Sequence, residues 1–362
     1  MSKLNQGGGI RMFGLRRIGK STLREYALER LEAEGRSYAY IDGQGLHSLS
    51  ELLSRLFLAM PAQQNFTQRV LKSLAAGPVR IAIEALAKGL DHDQSAIPAY
   101  WQVLAEAIRK ALQSEGAKPV LVIDEFTYLV ENMIKKGGSA DVDRLLASMR
   151  EWRDAGMTML LTGSIGLTGL ARRHGINLEH VNDLQPFDIP ELTETEARAF
   201  VQAATESTSQ GKWTQAHTDE FINQVGAFYP AFLVRGLLDV QFKSPPGPGE
   251  FEHIFEDRVR PEVHREFVGQ FNRRFAEYGE LAEDEREKLI LPALKAIMES
   301  SEPVAHTTIP CPAPFTQLRL GWALDMLVED GFVRFSQKAN GMRHWRPASN
   351  LAKMWWAGRN WA

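Results

Sequence analysis

The run Gly14-Leu-Arg-Arg-Ile-Gly19-Lys20-Ser21 constrains this chain more than any other feature. Phosphate oxygens are charged, strong acceptors. A loop that turns several backbone N–H groups inward at the positive end of a helix satisfies them. Two glycines at this spacing let the backbone turn tightly and approach such a ligand closely. Lys20 adds a point charge suited to β- and γ-phosphates, and the Ser21 hydroxyl can ligate Mg2+. The flanks agree. Residues 10–13 are a short apolar stretch, and Leu23, Tyr26, Ala27 and Leu31 open a helical pattern near Lys20, which gives the order strand, loop, helix. The candidate nucleotide-binding residues are Gly14, Leu15, Arg16, Arg17, Ile18, Gly19, Lys20, Ser21 and Thr22, and Ser21 is also a candidate metal ligand.

A second feature lies downstream. Val120, Leu121, Val122 and Ile123 form an unbroken apolar run that ends in Asp124 and Glu125. A strand without alternation implies burial on both faces, as in a parallel sheet. In a P-loop fold this strand is expected beside the loop strand. Asp124 then holds Mg2+, directly or through water, and Glu125 polarises the attacking water as general base. Without the upstream loop, the same two residues read as an ordinary exposed acidic pair. Residues 157–162 are another apolar strand, followed by Gly163 and Ser164. Ser164 at its tip either contacts the γ-phosphate or the water, or is a plain turn serine. Arg172 and Arg173 either act as an arginine finger on a neighbouring subunit's nucleotide or mark a solvated helix end. Arg235, just after Tyr229-Pro230, either reaches the phosphates in cis or is an ordinary surface residue.

The pattern around these motifs is that of an α/β chain. Residues 38–42 read as a strand, about 50–116 as a long helical region with an extra segment at Pro61-Ala-Gln-Gln-Asn, and 141–155 as a helix. Residues 181–184 read as a last short strand. Strands alternating with helices indicate a parallel sheet. After Pro190 the strands stop, and residues 193–204, 217–225 and 230–242 read as helices. Ser244-Pro-Pro-Gly-Pro-Gly249 is a breaker-rich linker. Residues 251–278 then read as a charged helix and 283–300 as an amphipathic one. The end has a Pro-rich turn, a helix over 315–329, and two short strands around Gln337-Lys-Ala-Asn-Gly341, a hairpin signal. That order suggests a winged helix. The expected domains are a core at 1–190, a helical lid at 191–243, a linker with a connecting helix at 244–282, and a winged-helix domain at 283–362.

Composition narrows the function classes. A chain of 362 residues suggests two or three domains at about 100–200 residues each. The net charge of −3 supplies no global positive field, so contact with nucleic acid needs a local patch. One cysteine, Cys311, rules out an internal disulfide and fits a reducing cytoplasm. No apolar run approaches the roughly 20 residues of a membrane span, and residues 1–9 carry no apolar signal core. A soluble cytoplasmic protein without a membrane partner is expected.

A local basic patch does exist. From Gly331 to Ala362 there are six basic residues (Arg334, Lys338, Arg343, Arg346, Lys353 and Arg359) and no acidic one. Trp345, Trp355, Trp356 and Trp361 are interleaved with them. A wing carrying Arg334, Lys338, Arg343 and Arg346 can reach DNA phosphates or a minor groove. A surface rich in Trp and Arg equally suits a protein partner. In a third reading the tryptophans are core and the charges are a solvated face.

Four pieces, in order along the chain, carry a resemblance. They are Gly14-Leu-Arg-Arg-Ile-Gly-Lys-Ser-Thr-Leu23, Val122-Ile-Asp-Glu-Phe126, Leu160-Leu-Thr-Gly-Ser164, and Trp345-Arg-Pro-Ala-Ser-Asn-Leu leading to Trp355-Trp356. Together they resemble the archaeal-type ATPases, relatives of the AAA+ and STAND NTPases. The chain departs from that pattern in two places. Family members carry an upstream Arg and Glu that abut the adenine, whereas nine residues precede Ile10 here, and the segment around residues 61–91 is long for the family. The resemblance implies an AAA+-like P-loop core, a helical lid and a C-terminal winged helix, with ATP and Mg2+ as ligands and a homo-oligomeric switch driven by nucleotide. The lack of an Asn-Lys-x-Asp guanine-reading motif agrees with ATP. The leading expectation is an ATP-hydrolysing enzyme that couples nucleotide state to DNA or a partner protein. The alternatives are a nucleotide-dependent assembly switch or defence adaptor with little turnover, and a winged-helix DNA-binding regulator.

Overall fold

The computed structural model describes residues 4, 8–60, 66–87, 100–114, 118–164, 166–206, 212–247, 249–281, 283–339 and 341–358. The tract 61–65, Asn340 of the hairpin turn, Arg359 and Trp361 lie outside the described residues. The chain divides into two compact units. One comprises Met1–Phe13 with Lys20–Asp188, the other Gly14–Gly19 with Ile189–Ala362.

The first unit is built on five parallel strands. They are β1 (Gly9–Phe13), β2 (Tyr38–Asp42), β3 (Val120–Asp124), β4 (Thr158–Gly163) and the short β5 (Gln185–Pro186), in the order β2-β3-β4-β1-β5. Between them run α1 (Lys20–Ala33), α2 (Leu49–Ala59), α3 (Phe66–Ser73), α4 (Pro78–Ala87), α5 (Trp101–Gln113), α6 (Phe126–Gly137), α7 (Ser139–Asp154) and α8 (Leu167–His174). The unbroken apolar run of β3 has the cause expected of it. Leu121 and Ile123 join the large cluster formed with α2, α5, α6 and α7, while Val120 and Val122 join Ala27 and Leu31 of α1 on the other face. Alternate residues of a strand point to opposite faces, so a strand covered on both sides has no polar positions to spare.

Two expectations need correction. The acidic strand β3 does not lie beside the loop strand β1. β4 sits between them, pairing with β1 from Gly9↔Met159 to Phe13↔Gly163 and with β3 from Val120↔Thr158 to Ile123↔Leu161. Apolar runs specify burial but not neighbours, so the order could not be read from the pattern. The last strand is also displaced. Leu178–Val181 is a 3-10 turn, and the pairing with β1 starts at Gln185, opposite Ile10.

The second unit contains α9 (Glu194–Glu206), α10 (Gln215–Val225) and α11 (Pro230–Asp239), then a continuous helical stretch over 251–281, called α12, and a further one over 283–298, α13. α9 starts where Thr193 and Glu196 form a capping box, with the Glu196 N–H donating to Thr193 Oγ1 at 3.2 Å and the Thr193 N–H donating to Glu196 Oε2 at 2.7 Å. α12 carries π-turns at Phe255–Val259 and His264–Val268 on either side of Pro261, which has no N–H for the helical ladder. The C-terminal end has β6 (Val304–Ala305), α14 (Gln317–Glu329), the hairpin β7 (Val333–Gln337) and β8 (Arg343–Pro347), and α15 (Asn350–Ala357). The three strands form an antiparallel sheet in the order β6-β8-β7. Helix, short strand, helix and hairpin in this order agree with the winged-helix expectation.

This unit's core settles the reading of the described tryptophans. Trp345 and Trp355 are fully buried and Trp356 nearly so. Trp355 packs on Phe271 and Phe332, with ring centroids 5.6 and 4.9 Å away, and its Nε1–H donates to Asn272 Oδ1 at 2.8 Å. The expectation that these three tryptophans form a partner-docking surface is therefore corrected, and they are core. A polar clasp lies in the same interior. Arg274 and Asp330 are both buried, the Tyr278 hydroxyl donates to Asp330 Oδ2 at 2.6 Å, and Arg274 Nη1 donates to the Asp330 carbonyl at 2.5 Å. Burial, reinforced by the Asp330 charge, holds the Tyr278 hydroxyl's pKa well above its ordinary value, so it stays a donor.

Candidate functional site

The strands of the first unit are parallel, so the C-terminal ends of β1, β3 and β4 lie along one edge of the sheet. Sequence-selected residues follow each of these ends. Beyond β1 the chain turns with positive φ at Gly14 (149°) and Gly19 (111°), conformations that glycine adopts without a Cβ penalty. Arg17 also has positive φ, 67°. Within the second unit, to which residues 14–19 belong, Leu15 and Ile18 are buried in the apolar core, the Arg16 N–H donates to Gln270 Oε1 at 2.8 Å, and Arg17 pairs with Glu266. Lys20, Ser21 and Thr22 open α1. Lys20 is 8% exposed and Ser21 and Thr22 face solvent.

Asp124 closes β3 with both carboxylate oxygens engaged. Oδ1 accepts the Thr162 hydroxyl of β4 and, at 3.1 Å, the Glu125 N–H, while Oδ2 accepts a guanidinium N–H of Arg24 from α1. Glu125 follows in the left-handed region (φ 48°, ψ 41°). This conformation costs a non-glycine residue about 1–2 kcal/mol, and such strain persists only where surrounding contacts impose it. The contacts are present. Glu125 Oε2 accepts both the Ser164 hydroxyl at 2.8 Å and the Ser164 N–H at 3.1 Å, and the Glu125 carbonyl accepts the Tyr128 N–H at 3.0 Å to start α6. Two donors on one oxygen hold the carboxylate in a fixed direction. The loop after β2 closes on the same place, with the Gly43 N–H donating to the Asp124 carbonyl at 2.8 Å. A Cβ on Gly43 would come within 2.9 Å of that carbonyl, so the approach needs glycine.

The structure thus brings Asp124, Glu125 and Ser164 together. The arginine and lysine candidates are described within their own units. Arg172 and Arg173 are half-buried on α8. Arg235, on α11, is 45% exposed and paired with Asp239 at 2.8 Å and with Glu262. On the hairpin Lys338, Arg343 and Arg346 are exposed and Arg334 is half-buried, with Arg343 lying 4.6 Å over the Phe335 ring and 3.1 Å from Asp325. Sequence reasoning missed Arg24, Thr162 and Gly43. Each left a small signal. Arg24 stands one helical turn beyond Lys20, Thr162 is a polar residue closing an apolar strand, and Gly43 directly follows Asp42 at the end of β2.

Among the described residues no three His, Cys, Asp or Glu side chains gather as a protein-only metal site. Asp124 and Ser21 are a sparse oxygen set, of the kind that takes Mg2+ when substrate phosphates and water complete the shell. The residues fit a cation that arrives with a nucleotide. Among the described residues no helix is long and apolar enough to cross a membrane.

A glycine-rich loop between strand and helix, with an acidic pair ending a parallel strand, defines a P-loop nucleotide-binding domain. Residues 5–170 match the family model described as the AAA domain. This stretch is similar to that family, as the loop and acidic strand led one to expect. No curated protein matches the sequence. Solved structures similar to the chain include the Aeropyrum pernix ORC1 protein in complex with DNA, at 15% identity and a TM-score of 0.41, covering 98% of this chain and 87% of that one. The Aeropyrum pernix ORC2 protein in ADPNP–ADP complexes is similar at 15% identity and a TM-score of 0.43, with 96% and 86% covered. AMPPCP-bound DnaA from Aquifex aeolicus follows at 12% identity and a TM-score of 0.37, with 91% and 85% covered.

Proposed function

We propose that this protein is an Mg2+-dependent ATPase that couples its nucleotide state to engagement of DNA or a partner protein. The observation that carries the reading is Glu125, held in a strained backbone conformation with its carboxylate aimed by Ser164, next to Asp124 at the end of β3. In this reading residues 14–22 cradle the phosphates, with Lys20 as their point charge. Ser21 and Asp124 would hold Mg2+, which would supply electrostatic stabilisation of the phosphates. Glu125 takes the proton of the attacking water. Ser164 positions Glu125 and faces the γ-phosphate. Arg235 as a lid arginine in cis, and Arg172 and Arg173 as a finger toward another subunit, complete the proposal, with assembly into a homo-oligomer in the cytoplasm. The domain division at 190, 243 and 282 belongs to the same reading, as does DNA contact through Lys338, Arg343 and Arg346.

The test is hydrolysis of ATP by the wild type, Lys20→Ala and Glu125→Gln, with and without duplex DNA. Turnover lost in both variants and raised by DNA supports the reading. Turnover absent in the wild type, or unchanged in Glu125→Gln, removes it. One observation favours a second reading, a nucleotide-dependent assembly switch with little turnover. Arg24 already occupies an oxygen of Asp124. Under that reading, light scattering finds a different particle size with ATP than with ADP while hydrolysis stays slow.

A further inference from the structure

Arg24 is the least expected participant at the end of β3. It lies on α1 one turn beyond Lys20, and its Nη1 donates to Asp124 Oδ2. The other oxygen, Oδ1, is taken by the Thr162 hydroxyl and the Glu125 N–H. The pair is shielded, with 12% of the Arg24 side chain and 18% of the Asp124 side chain exposed, so salt screens it weakly. The same guanidinium has two further partners. It lies 5.1 Å over the Tyr40 ring of β2, and Nη2 donates to Glu25 Oε1 at 3.1 Å.

We propose that Arg24 is an internal cation that competes with Mg2+ for Asp124 and sets how much Mg2+ the site requires. The inference rests on the reading of Asp124 as the Mg2+ carboxylate. Mg2+ demands close oxygen ligands in near-octahedral geometry. An oxygen that accepts a guanidinium N–H offers the ion less lone-pair density, and two cations on one carboxylate repel. Arginine does not shed its proton in proteins, so the competition ends only when the side chain moves. Tyr40 and Glu25, which already touch the guanidinium, stay as its partners when it leaves Asp124, the first through the face of its ring and the second through its carboxylate. Binding of Mg2+ with nucleotide thus exchanges one Asp124 partner for another, and the nucleotide site turns on above a threshold of free Mg2+.

The experiment reads binding, not turnover. A fluorescent ADP analogue is titrated onto the full chain in EDTA and across a Mg2+ series, for the wild type, Arg24→Gln, Arg24→Met and Asp124→Asn. The expected result is a Mg2+ midpoint roughly tenfold lower in Arg24→Gln and Arg24→Met than in the wild type, the size of losing one charge-assisted hydrogen bond from the competitor. Asp124→Asn is expected to lose the Mg2+ effect. A midpoint in the folded Arg24 variants equal to or above that of the wild type, with the effect still lost in Asp124→Asn, overturns the competition while sparing the role of Asp124. A Mg2+ effect that survives in Asp124→Asn overturns the role of Asp124 and the competition with it. Two Arg24 variants of different polarity are used so that misfolding of one does not silence the test.

Discussion

The end of β3 and the C-terminal hairpin both combine charged and apolar residues, and they use them in opposite ways. At the end of β3 the charged and polar groups are tied to one another: Asp124 to Arg24 and Thr162, Glu125 to Ser164. At the hairpin Trp345 goes inside, with Trp355 and Trp356 of the following α15, while Lys338, Arg343 and Arg346 stay on the surface. A group that must aim at a reacting atom has to be fixed beforehand by other groups, because reorganisation during the reaction adds to the barrier. A group that only supplies charge to a partner's phosphates can remain solvated and mobile. The two regions therefore fail differently when altered.

The largest expected effect is at the first region. Glu125→Gln should lower ATP turnover by about 10²–10⁴-fold, the worth of a general base, with binding of a fluorescent ADP analogue preserved. Equal losses of binding and turnover would mean that Glu125 shapes the site and does not take a proton. The second region should lose stability, not chemistry. Trp355→Ala leaves a cavity among Phe271, Phe275 and Phe332, and a cost of about 3–5 kcal/mol is expected. The urea midpoint measures it, and a loss below about 1 kcal/mol would show that the region repacks.

Ser164→Ala refines the comparison. It removes one of the two donors to Glu125 Oε2 and should cost turnover about 10–100-fold, a hydrogen bond to a charged group being worth about 1.5–3 kcal/mol. Ser164→Thr, which keeps the hydroxyl, should recover part of the rate. Asp183 tests the principle of tied charges by pH. Burial pushes its carboxyl up, but the Arg153 hydrogen bonds and charge outweigh it, and the net shift is down from 3.8. A carboxyl with a depressed folded pKa stabilises fully above its unfolded value and loses that stabilisation as pH falls through the folded one. Unfolding midpoints should therefore drop below about pH 3.8, and Asp183→Asn should flatten that limb. The smallest stability effect belongs to the solvated charges. Arg343→Ala with Arg346→Ala should stay within about 0.5 kcal/mol of the wild type, while any DNA binding weakens and its salt dependence shrinks. Unchanged DNA binding would detach the hairpin from that role.

Much of this architecture was legible from residue order. The glycine spacing and Lys20 fixed the strand–loop–helix start, because few other sequences let a backbone wrap an anion at a helix N-terminus. The Val120–Ile123 run announced a strand buried on both faces. Asp124, Glu125 and Ser164 were each found from a polar residue closing an apolar strand. Their shared location was not, since two strand ends meet only when the sheet assembles.

What the sequence by itself determined is the set of local elements and the chemical type of the site, because turn geometry, periodicity and capping act over a few residues. Tertiary structure alone decided the rest. It inserted β4 between β1 and β3, gave Asp124 the guanidinium of Arg24, turned Glu125 toward Ser164, and sent Trp345, Trp355 and Trp356 into the core. Each of these joins residues far apart in the chain, and burial with hydrogen-bond satisfaction, summed over the folded units, chooses such partners.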